Sequence, residues 1–229
     1  MKQIVLASNN PKKIAELGTM LADVSSDGVE VLSLKAIGHT AEIIEDGDTF
    51  EENSLIKAGT AARLGYIGIA DDSGLMVDAL DGAPGIYSAR YAGEDANDEK
   101  NRAKLLNALD GLPAEKRTAK FVCTASVVLP EGSELTIPAA WRIPEALAEK
   151  SGIPSERAMI VRGECPGVIG TEERGEGGFG YDSLFWYLPF GATFAEIPQE
   201  KKNEVSHRGV AMREFTSRLA VILSQKDGD

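Results

Sequence analysis

Apolar and polar residues alternate along the chain in a way that predicts strands and helices in turn. Four short apolar runs have the length and composition of buried strands: residues 3–7, 29–34, 66–70 and 121–129. Four segments are predicted as helices: residues 11–21, 50–64, 98–109 and 206–222. The first and the last of them carry apolar residues at helical spacing. Strands that alternate with helices in this order are typical of α/β proteins. With no internal repeat and no linker in the sequence, the pattern predicts one domain over residues 1–229.

Local signals define three of the helix starts. Pro11 suits the first position of a helix, and Ser206 has the side chain of an N-cap. Thr49 and Glu52, three residues apart, form the pattern of a capping box. In the segment 136–161, prolines and glycines surround a short helical piece, which predicts an insertion at the periphery of the domain.

The composition argues against several classes of function. The formal net charge of -12 disfavours a nucleic-acid polymer as partner, because phosphate backbones are bound by clustered Lys and Arg. No apolar run is long enough to span a membrane, and the N-terminus has neither the length nor the flanks of a signal peptide. Cys123 and Cys165 are too few for a disulfide framework or a zinc site. These features predict a cytoplasmic protein without membrane partners. They do not exclude a small phosphate ligand, because a few local cations and backbone N–H groups suffice to bind one.

The most informative segment is the acidic pair Asp71-Asp72 with Ser73, which follows the apolar run 66–70. A strand that ends at this pair would present it at a sheet edge, where α/β proteins bind ligands. Adjacent side chains of a strand point to opposite faces, so one carboxylate is expected to meet a ligand or metal while the other supports the backbone. The alternative is a solvated turn at Gly74.

A second candidate site is the loop that joins the first strand to the first helix, Ser8-Asn9-Asn10-Pro11-Lys12-Lys13. Helix N-termini present unpaired N–H groups and the positive end of a dipole, and both favour anions. Ser8 and Asn10 add hydrogen-bond donors, and the two lysines add charge. The loop lacks the glycines of a Walker A motif, and a capped helix with two solvated lysines is the alternative.

Lys57 and Glu45 extend the acidic site. Lys57 lies one helical turn after Asn53, and from this face of the helix it could reach a phosphate near Asp72. Glu45 precedes the same helix and could join Asp72 in binding Mg2+, which proteins hold through one or two carboxylates, water and substrate phosphates. The alternatives are a surface lysine and a solvated acidic loop, residues 45–48.

Two further groups come from the second half of the chain. The run 177–182 places two aromatic side chains among glycines, where a ring can stack on a base. A glycine turn over a core phenylalanine is the alternative. His207 and Arg208 would lie in the first turn of the last helix, a short distance after Lys202. Cations are unfavourable at that end of a helix, which suggests an anionic or carbonyl partner.

Taken in order, these motifs resemble the inosine/xanthosine triphosphate pyrophosphatase family, and the resemblance covers nearly the whole chain. The matching segments are residues 8–13, 49–53, 57–58, 70–75, 82–91, 178–182 and 206–208. The resemblance implies an α/β fold with an elongated mixed central sheet, flanking helices in two lobes and a nucleotide cleft between them, usually in a homodimer. It also implies Mg2+-dependent hydrolysis of ITP, dITP and XTP to the monophosphate and pyrophosphate, which cleanses the nucleotide pool.

The functional roles of that family fall on matching positions of this chain. The implied triphosphate contacts are Ser8, Asn9, Asn10, Pro11, Lys12 and Lys13. Asp72 is the implied Mg2+ ligand and general base, with Glu45 as the second metal carboxylate. Lys13 and Lys57 would stabilise charge on the phosphates. The remaining implied substrate contacts are Ser73, Phe179, Gly180, Tyr181, Asp182, Lys202, His207 and Arg208.

Two positions depart from the family pattern. Asn9 stands at a usual glycine, and Ser183 stands where proline tends to follow Gly-Tyr-Asp. A Maf-type nucleotide pyrophosphatase of other base specificity is the nearest alternative, but proteins of that type open with a Ser-Pro-Arg-Arg loop. A non-catalytic nucleotide-sensing module is the alternative from another class, and it would bind the same nucleotides without releasing pyrophosphate.

Overall fold

The computed structural model describes residues 2–8, 11–22 and 28–225. Within these residues the strands are β1 (Lys2–Leu6), β2 (Val29–Ser33), β3 (Ile67–Val77), β4 (Thr118–Val128), β5 (Ala158–Ile169), β6 (Phe185–Tyr187) and β7 (Ala192–Thr193). The helices are α1 (Pro11–Ala22), α2 (Phe50–Arg63), α3 (Asp98–Ala108), α4 (Glu145–Ser151), α5 (Gln199–Val205) and α6 (His207–Leu223). In this part of the chain, every helix is too short or too polar to cross a bilayer.

The strands form one mixed sheet in the order β2-β1-β3-β4-β5-β6-β7. β1 pairs in parallel with β2 and with β3, so that Ile4 lies opposite Val31 on one side and Ile67 on the other. β6 pairs antiparallel with both β5 and β7. Parallel neighbours require a crossover between strands, which α1 supplies between β1 and β2. The mixed sheet with its flanking helices confirms the predicted α/β class.

Contacts along the chain divide it into two compact units. The first unit comprises Met1–Asp72, Thr124–Val161 and Met212–Asp229, and the second comprises Ser73–Cys123 and Arg162–Ala211. The strands β3, β4 and β5 each begin in one unit and end in the other. The expected single domain with an insertion near residues 136–161 stays a prediction.

The first unit has a core in which α1 and α6 bury the apolar stripes that helical spacing predicts. Its fully buried side chains include Ile4, Leu17, Leu21, Phe215, Leu219 and Ile222. The end of α6 is also tied to the first strand, because Lys2 Nζ donates a hydrogen bond to the carbonyl oxygen of Leu223 at 2.8 Å. The first and last described elements of the chain therefore support the same core.

The second unit has an aromatic core. Phe185 is fully buried, with its ring centroid 4.6 Å from that of Phe121 and 4.9 Å from that of Phe194. Tilted aromatic pairs at these distances stabilise the fold by more than the burial of their apolar area alone. Tyr181, which lies in the glycine-rich run 177–182, and Leu184, which follows it, are buried in the same cluster.

β3 is longer than the sequence pattern predicts. It does not end near residue 70 but continues through Asp71 and Asp72 to Val77, because Leu75 and Val77 again bury their side chains. The prediction that the acidic pair lies at a strand end followed by a turn is therefore wrong. The pair lies in the middle of an eleven-residue strand.

The hydrophobic pattern does not reveal β5, because glycine occupies positions on its buried face. A Cβ atom on Gly163 would lie 2.3 Å from the carbonyl oxygen of His207, and one on Gly167 would lie 2.5 Å from the ring of Phe185. Only glycine permits these approaches, so the alternation of large apolar and polar residues that marks a strand is lost. The hydrophobic pattern did not predict α5 either, because its sequence QEKKNEV is almost wholly polar.

Candidate active site

The first unit brings a lysine between two carboxylates. Lys57 Nζ donates to Asp72 Oδ1 at 2.8 Å and to Glu45 Oε2 at 3.0 Å. The side chains of Lys57 and Asp72 are only 12% and 15% exposed, and that of Glu45 is 34% exposed. These three predicted site residues therefore form one hydrogen-bonded group that solvent reaches mainly at Glu45.

Burial and neighbouring charge shift the pKa of both central groups. Burial raises the pKa of Asp72 above its usual range, and the negative charges of Glu45 and Asp71 add to this, while the Lys57 ammonium opposes it. Burial alone would lower the pKa of Lys57, but Asp72 and Glu45 together raise it. Lys57 therefore stays protonated at neutral pH, and Asp72 binds a proton more readily than an exposed aspartate does.

α2 lies directly on β3, and this close approach places Lys57 beside Asp72. A Cβ atom on Gly68 of β3 would lie 2.0 Å from the carbonyl oxygen of Ala58, the residue after Lys57. Two hydroxyl groups fix the contact of the helix with the sheet: Ser54 Oγ donates to Ser126 Oγ at 2.7 Å, and Ser126 Oγ donates to the carbonyl oxygen of Ser54 at 2.9 Å. Both serines are fully buried, so these bonds hold α2 in one register against the sheet.

The acidic loop 45–48 is held against the start of α2. Thr49 caps the helix, since its side chain accepts a hydrogen bond from Glu52 N at 3.2 Å. Glu52 Oε2 accepts from Asp48 N at 2.9 Å, and Asn53 Oδ1 accepts from Gly47 N at 2.9 Å. The capping box predicted from the sequence is therefore present, with its return bond at Asp48 and not at Thr49. These bonds fix the backbone that carries Glu45.

α4 reaches the same loop from a distant part of the sequence. Lys150 Nζ lies 2.8 Å from Asp48 Oδ2 and 2.9 Å from Glu52 Oε1. Lys150 belongs to the segment 136–161, for which the sequence indicated no role. The ion pairs show that this segment supports the loop that carries Glu45.

The phosphate loop predicted at residues 8–13 is described only in part. Ser8 is half-buried after the end of β1, where Ala7 N donates to the carbonyl oxygen of Ile69 in β3 at 2.7 Å. Asn9 and Asn10 lie outside the described residues. Pro11, Lys12 and Lys13 form the first turn of α1, as predicted, and their side chains also lie outside the description.

The second unit gathers the predicted base-binding residues around Asp182. Its carboxylate is buried and accepts hydrogen bonds from Phe179 N at 2.9 Å and from Lys202 Nζ at 2.5 Å. Phe179 is 78% exposed, and Lys202 Nζ lies 5.2 Å from the centroid of its ring. Tyr181 is buried and donates its hydroxyl to the carbonyl oxygen of Ser88 at 2.8 Å. The run 177–182 therefore combines one fixed, buried end with one exposed aromatic ring.

The remaining predicted residues of the second unit lie at the start of α6 and on β3. Ser206 caps α6, because its Oγ accepts a hydrogen bond from Gly209 N at 3.1 Å. His207 stacks on Phe121 with ring centroids 4.8 Å apart, and Arg208 is half-buried in the next position. Ser73 is exposed on β3.

The sequence could not reveal several residues that build the site. Lys150 meets Asp48 across 102 positions, and Ser54 meets Ser126 across 72. Partners this far apart leave no local pattern. Gly68 had a signal, because a glycine inside a β-branched strand run often marks a close backbone approach.

The donor set can bind a divalent cation only together with other ligands. Among the described residues, no group of three or more His, Cys, Asp and Glu side chains is placed to hold a metal ion. Glu45 Oε2 and Asp72 Oδ1 lie 3.0 and 2.8 Å from Lys57 Nζ, so the two carboxylates are close to each other. A pair of this kind suits a cation that completes its coordination with water and phosphate oxygens.

Comparison with known proteins identifies a family model and relatives that this chain matches over nearly its whole length. A model of the Ham1 family matches residues 4–218. The chain is 42% identical over 227 residues to the dITP/XTP pyrophosphatase of Geobacillus kaustophilus, with 99% of this chain and 98% of that protein covered. It is 46% identical over 215 residues to the dITP/XTP pyrophosphatase of Geobacter sulfurreducens, with coverages of 93% and 94%.

Solved structures show the same architecture. The Ham1 protein of Staphylococcus aureus superposes with a TM-score of 0.79 at 36% identity, covering 95% of this chain and 98% of that one. A HAM1 protein from Coxiella burnetii gives a TM-score of 0.81 at 34% identity, with coverages of 96% and 100%. The mixed sheet with its flanking helices is therefore an arrangement shared by these structures.

Proposed function

The chain belongs to the Ham1 family, and from this premise we propose that it hydrolyses dITP, XTP and ITP to the monophosphate and pyrophosphate. Relatives of this function match it along nearly their full length. Within the structure, the observation that carries the proposal is the group formed by Asp72, Lys57 and Glu45. Two carboxylates beside one ammonium are suited to metal-assisted phosphoryl chemistry. The family match also favours this function over that of a Maf-type pyrophosphatase.

We propose Mg2+ as the metal, with Glu45 and Asp72 as its protein ligands. Both groups are carboxylates, and Mg2+ prefers oxygen ligands and keeps several positions for water and substrate phosphates. Hydrogen bonds to Gly47 and Asp48 fix the loop that carries Glu45, and β3 fixes Asp72. When bound, the cation neutralises phosphate charge and orients water.

The side chains of the first unit supply the remaining chemistry in this proposal. Asp72 accepts a proton from the water that attacks the triphosphate, the bond between the α- and β-phosphates breaks, and pyrophosphate leaves. Lys57 and Lys13 stabilise the charge that develops on the phosphate oxygens. The first turn of α1 adds backbone N–H groups and the positive end of its dipole. The proposed triphosphate contacts are Ser8, Asn9, Asn10, Pro11, Lys12 and Lys13.

Base recognition is assigned in this proposal to the second unit. The exposed ring of Phe179 is available to stack on a purine. Inosine and xanthosine present a carbonyl acceptor at the 6-position where adenine presents an amino donor, so a donor from His207, Arg208 or nearby backbone would select for them. The further proposed contacts with sugar and base are Ser73, Gly180, Tyr181, Asp182 and Lys202.

The test is pyrophosphate release from XTP, dITP, ITP, GTP and ATP, each with Mg2+, by the wild type and by Asp72→Asn. We expect rapid release from the first three substrates, release from GTP and ATP slower by orders of magnitude, and little release by Asp72→Asn. Binding of XTP without release would contradict hydrolysis and favour the nucleotide sensor. Equal rates with ATP would contradict the proposed choice of base.

Two further properties complete the proposal. We propose a homodimer and a cytoplasmic location, as the family resemblance and the composition predict. Sedimentation equilibrium measures the first, and fractionation of cells measures the second. A monomer at micromolar concentration would contradict the homodimer.

A further inference from the structure

Both backbone groups of Gly180 are hydrogen-bonded to side chains of α3. Asp98 Oδ2 accepts from Gly180 N at 2.7 Å, and Arg102 Nη1 donates to the carbonyl oxygen of Gly180 at 3.0 Å. Asp98 and Arg102 are four residues apart, so they project from the same face of the helix. We call these two side chains the Gly180 clamp. A glycine suits this position, because its φ is +61°, in the left-handed region.

The helix that carries the Gly180 clamp is itself well fixed. Asn97 caps α3, since its side chain accepts from Lys100 N at 2.8 Å. Asn101 is buried, accepts from Ala92 N at 2.7 Å and donates to the carbonyl oxygen of Ala89 at 3.0 Å. The clamp residues therefore extend from a rigid support and not from a loop.

Arg102 is also fixed on its other side. Its Nε lies 2.8 Å from Glu173 Oε2, and Ser183 Oγ donates to the same oxygen at 3.0 Å. The guanidinium therefore lies between the Glu173 carboxylate and the carbonyl oxygen of Gly180. Glu173 and Ser183 stand on either side of the run 177–182, so the same network holds both ends of the loop.

The position of the Phe179 ring depends on these backbone bonds. Phe179 is 78% exposed, so packing in the core contributes little to its placement. Its own N–H is held by the buried carboxylate of Asp182, and the next residue is held by the Gly180 clamp. The two sets of bonds fix the backbone from which the ring projects, and Lys202 Nζ lies 5.2 Å from the ring centroid.

We propose that Asp98 and Arg102 are positioning residues for base recognition, because they hold Gly180 so that Phe179 is presented to the purine. This inference rests on the proposed function, in which Phe179 contacts the base. Loss of the Gly180 clamp weakens binding of the base and raises KM. It leaves kcat nearly unchanged, because Asp72 and Lys57 carry the proposed chemistry.

The test compares Asp98→Ala with Asp98→Asn and with Glu99→Ala. Asn keeps an oxygen that can accept from Gly180 N, so it should restore the wild-type behaviour. Glu99→Ala is the matched control: it removes the same charge from the same first turn of α3, and the Glu99 side chain makes no hydrogen bond or ion pair within the described residues. Two quantities are measured in each variant: hydrogen exchange of the Gly180 amide, and kcat and KM for XTP.

In Asp98→Ala we expect the Gly180 amide to exchange faster and KM for XTP to rise by about three- to tenfold, the effect of one lost hydrogen bond, with kcat within about twofold. The other two variants should match the wild type in both readouts. Unchanged exchange in Asp98→Ala overturns the clamp, and faster exchange with an unchanged KM overturns its role in recognition. If the wild type binds XTP without hydrolysing it, the proposed function fails separately, and the Kd for XTP replaces KM as the deciding quantity.

Discussion

Gly68→Ala should disable the site by moving α2 away from β3. The added Cβ would lie 2.0 Å from the carbonyl oxygen of Ala58 and 3.1 Å from Ala61 Cβ, whereas ordinary contact begins at 3.4 Å. The helix must therefore retreat by more than about 1 Å at this point, and such overpacking costs about 1–3 kcal/mol of folding free energy. Backbone on both sides of the contact leaves no flexible side chain to absorb the shift.

The same displacement acts on catalysis. Lys57 precedes Ala58, and its bonds to Asp72 and Glu45 measure 2.8 and 3.0 Å. A shift of this size would lengthen these contacts beyond hydrogen-bonding distance. Misplacement of a catalytic group by about 1 Å lowers rates by about 10²-fold, so kcat/KM for pyrophosphate release from XTP should fall by that factor.

Gly18→Ala is the matched control for this prediction. Gly18 lies in α1, and a Cβ atom added there would have no neighbour within 4 Å. Alanine inside a helix should stabilise the protein by about 0.5–1 kcal/mol and leave kcat/KM unchanged. Urea unfolding and steady-state kinetics of both variants provide the comparison. Two results would contradict a displacement of Lys57: Gly68→Ala behaves like Gly18→Ala, or it loses stability while kcat/KM stays at the wild-type value.

Three other predictions concern the same unit. Asp72→Asn should lower kcat for pyrophosphate release by about 10²- to 10⁴-fold, because an amide cannot take the proton of the attacking water; a folded variant with unchanged kcat would contradict the assignment. Asn53→Ala should lower the free energy of unfolding in urea by about 1–3 kcal/mol, because the Gly47 N–H loses its acceptor, and an unchanged value would contradict this role of Asn53. Burial raises the pKa of Glu52, but the hydrogen bonds from Lys150 and Asp48 N outweigh it and lower the pKa below the usual value of 4.5. The stability that this carboxylate contributes is therefore present above pH 4.5 and is lost as the pH falls through its lower folded pKa. In Glu52→Gln, the free energy of unfolding should therefore fall less steeply as the pH is lowered below 4.5. The same steepness as in the wild type would contradict this prediction.

The sequence allowed much of the fold to be predicted, because local patterns define helices well. Thr49 and Glu52 marked the start of α2, and the buried stripe of α6 follows the predicted spacing. Prediction failed where contacts with residues far away in the sequence, and not the local pattern, determine the structure. In β5, the close approach of α6 requires glycine at position 163, where a strand pattern would have a large apolar residue. In β3, burial of Leu75 and Val77 extends the strand beyond the acidic pair.

In the candidate site too, local patterns predicted some residues, and contacts between distant residues could not be predicted. Helical spacing was enough to direct Lys57 toward Asp72, and the sequence order placed Glu45 just before the helix. The supports of these residues were not predictable, because Ser126 and Lys150 reach them from far along the chain. Asn53 was expected on the face of Lys57, and its contact with Gly47 shows that it shapes the acidic loop.

The connectivity of the first unit has a consequence for how the protein is made. Every residue of this unit that the proposed chemistry uses precedes Ser73, yet their core is completed by Phe215, Leu219 and Ile222 of α6. A chain still emerging from the ribosome therefore contains the proposed catalytic side chains long before it can form the core that stabilises them. Loss of the last segment, from residue 212 onward, would abolish activity through the core, although it removes none of the proposed catalytic groups.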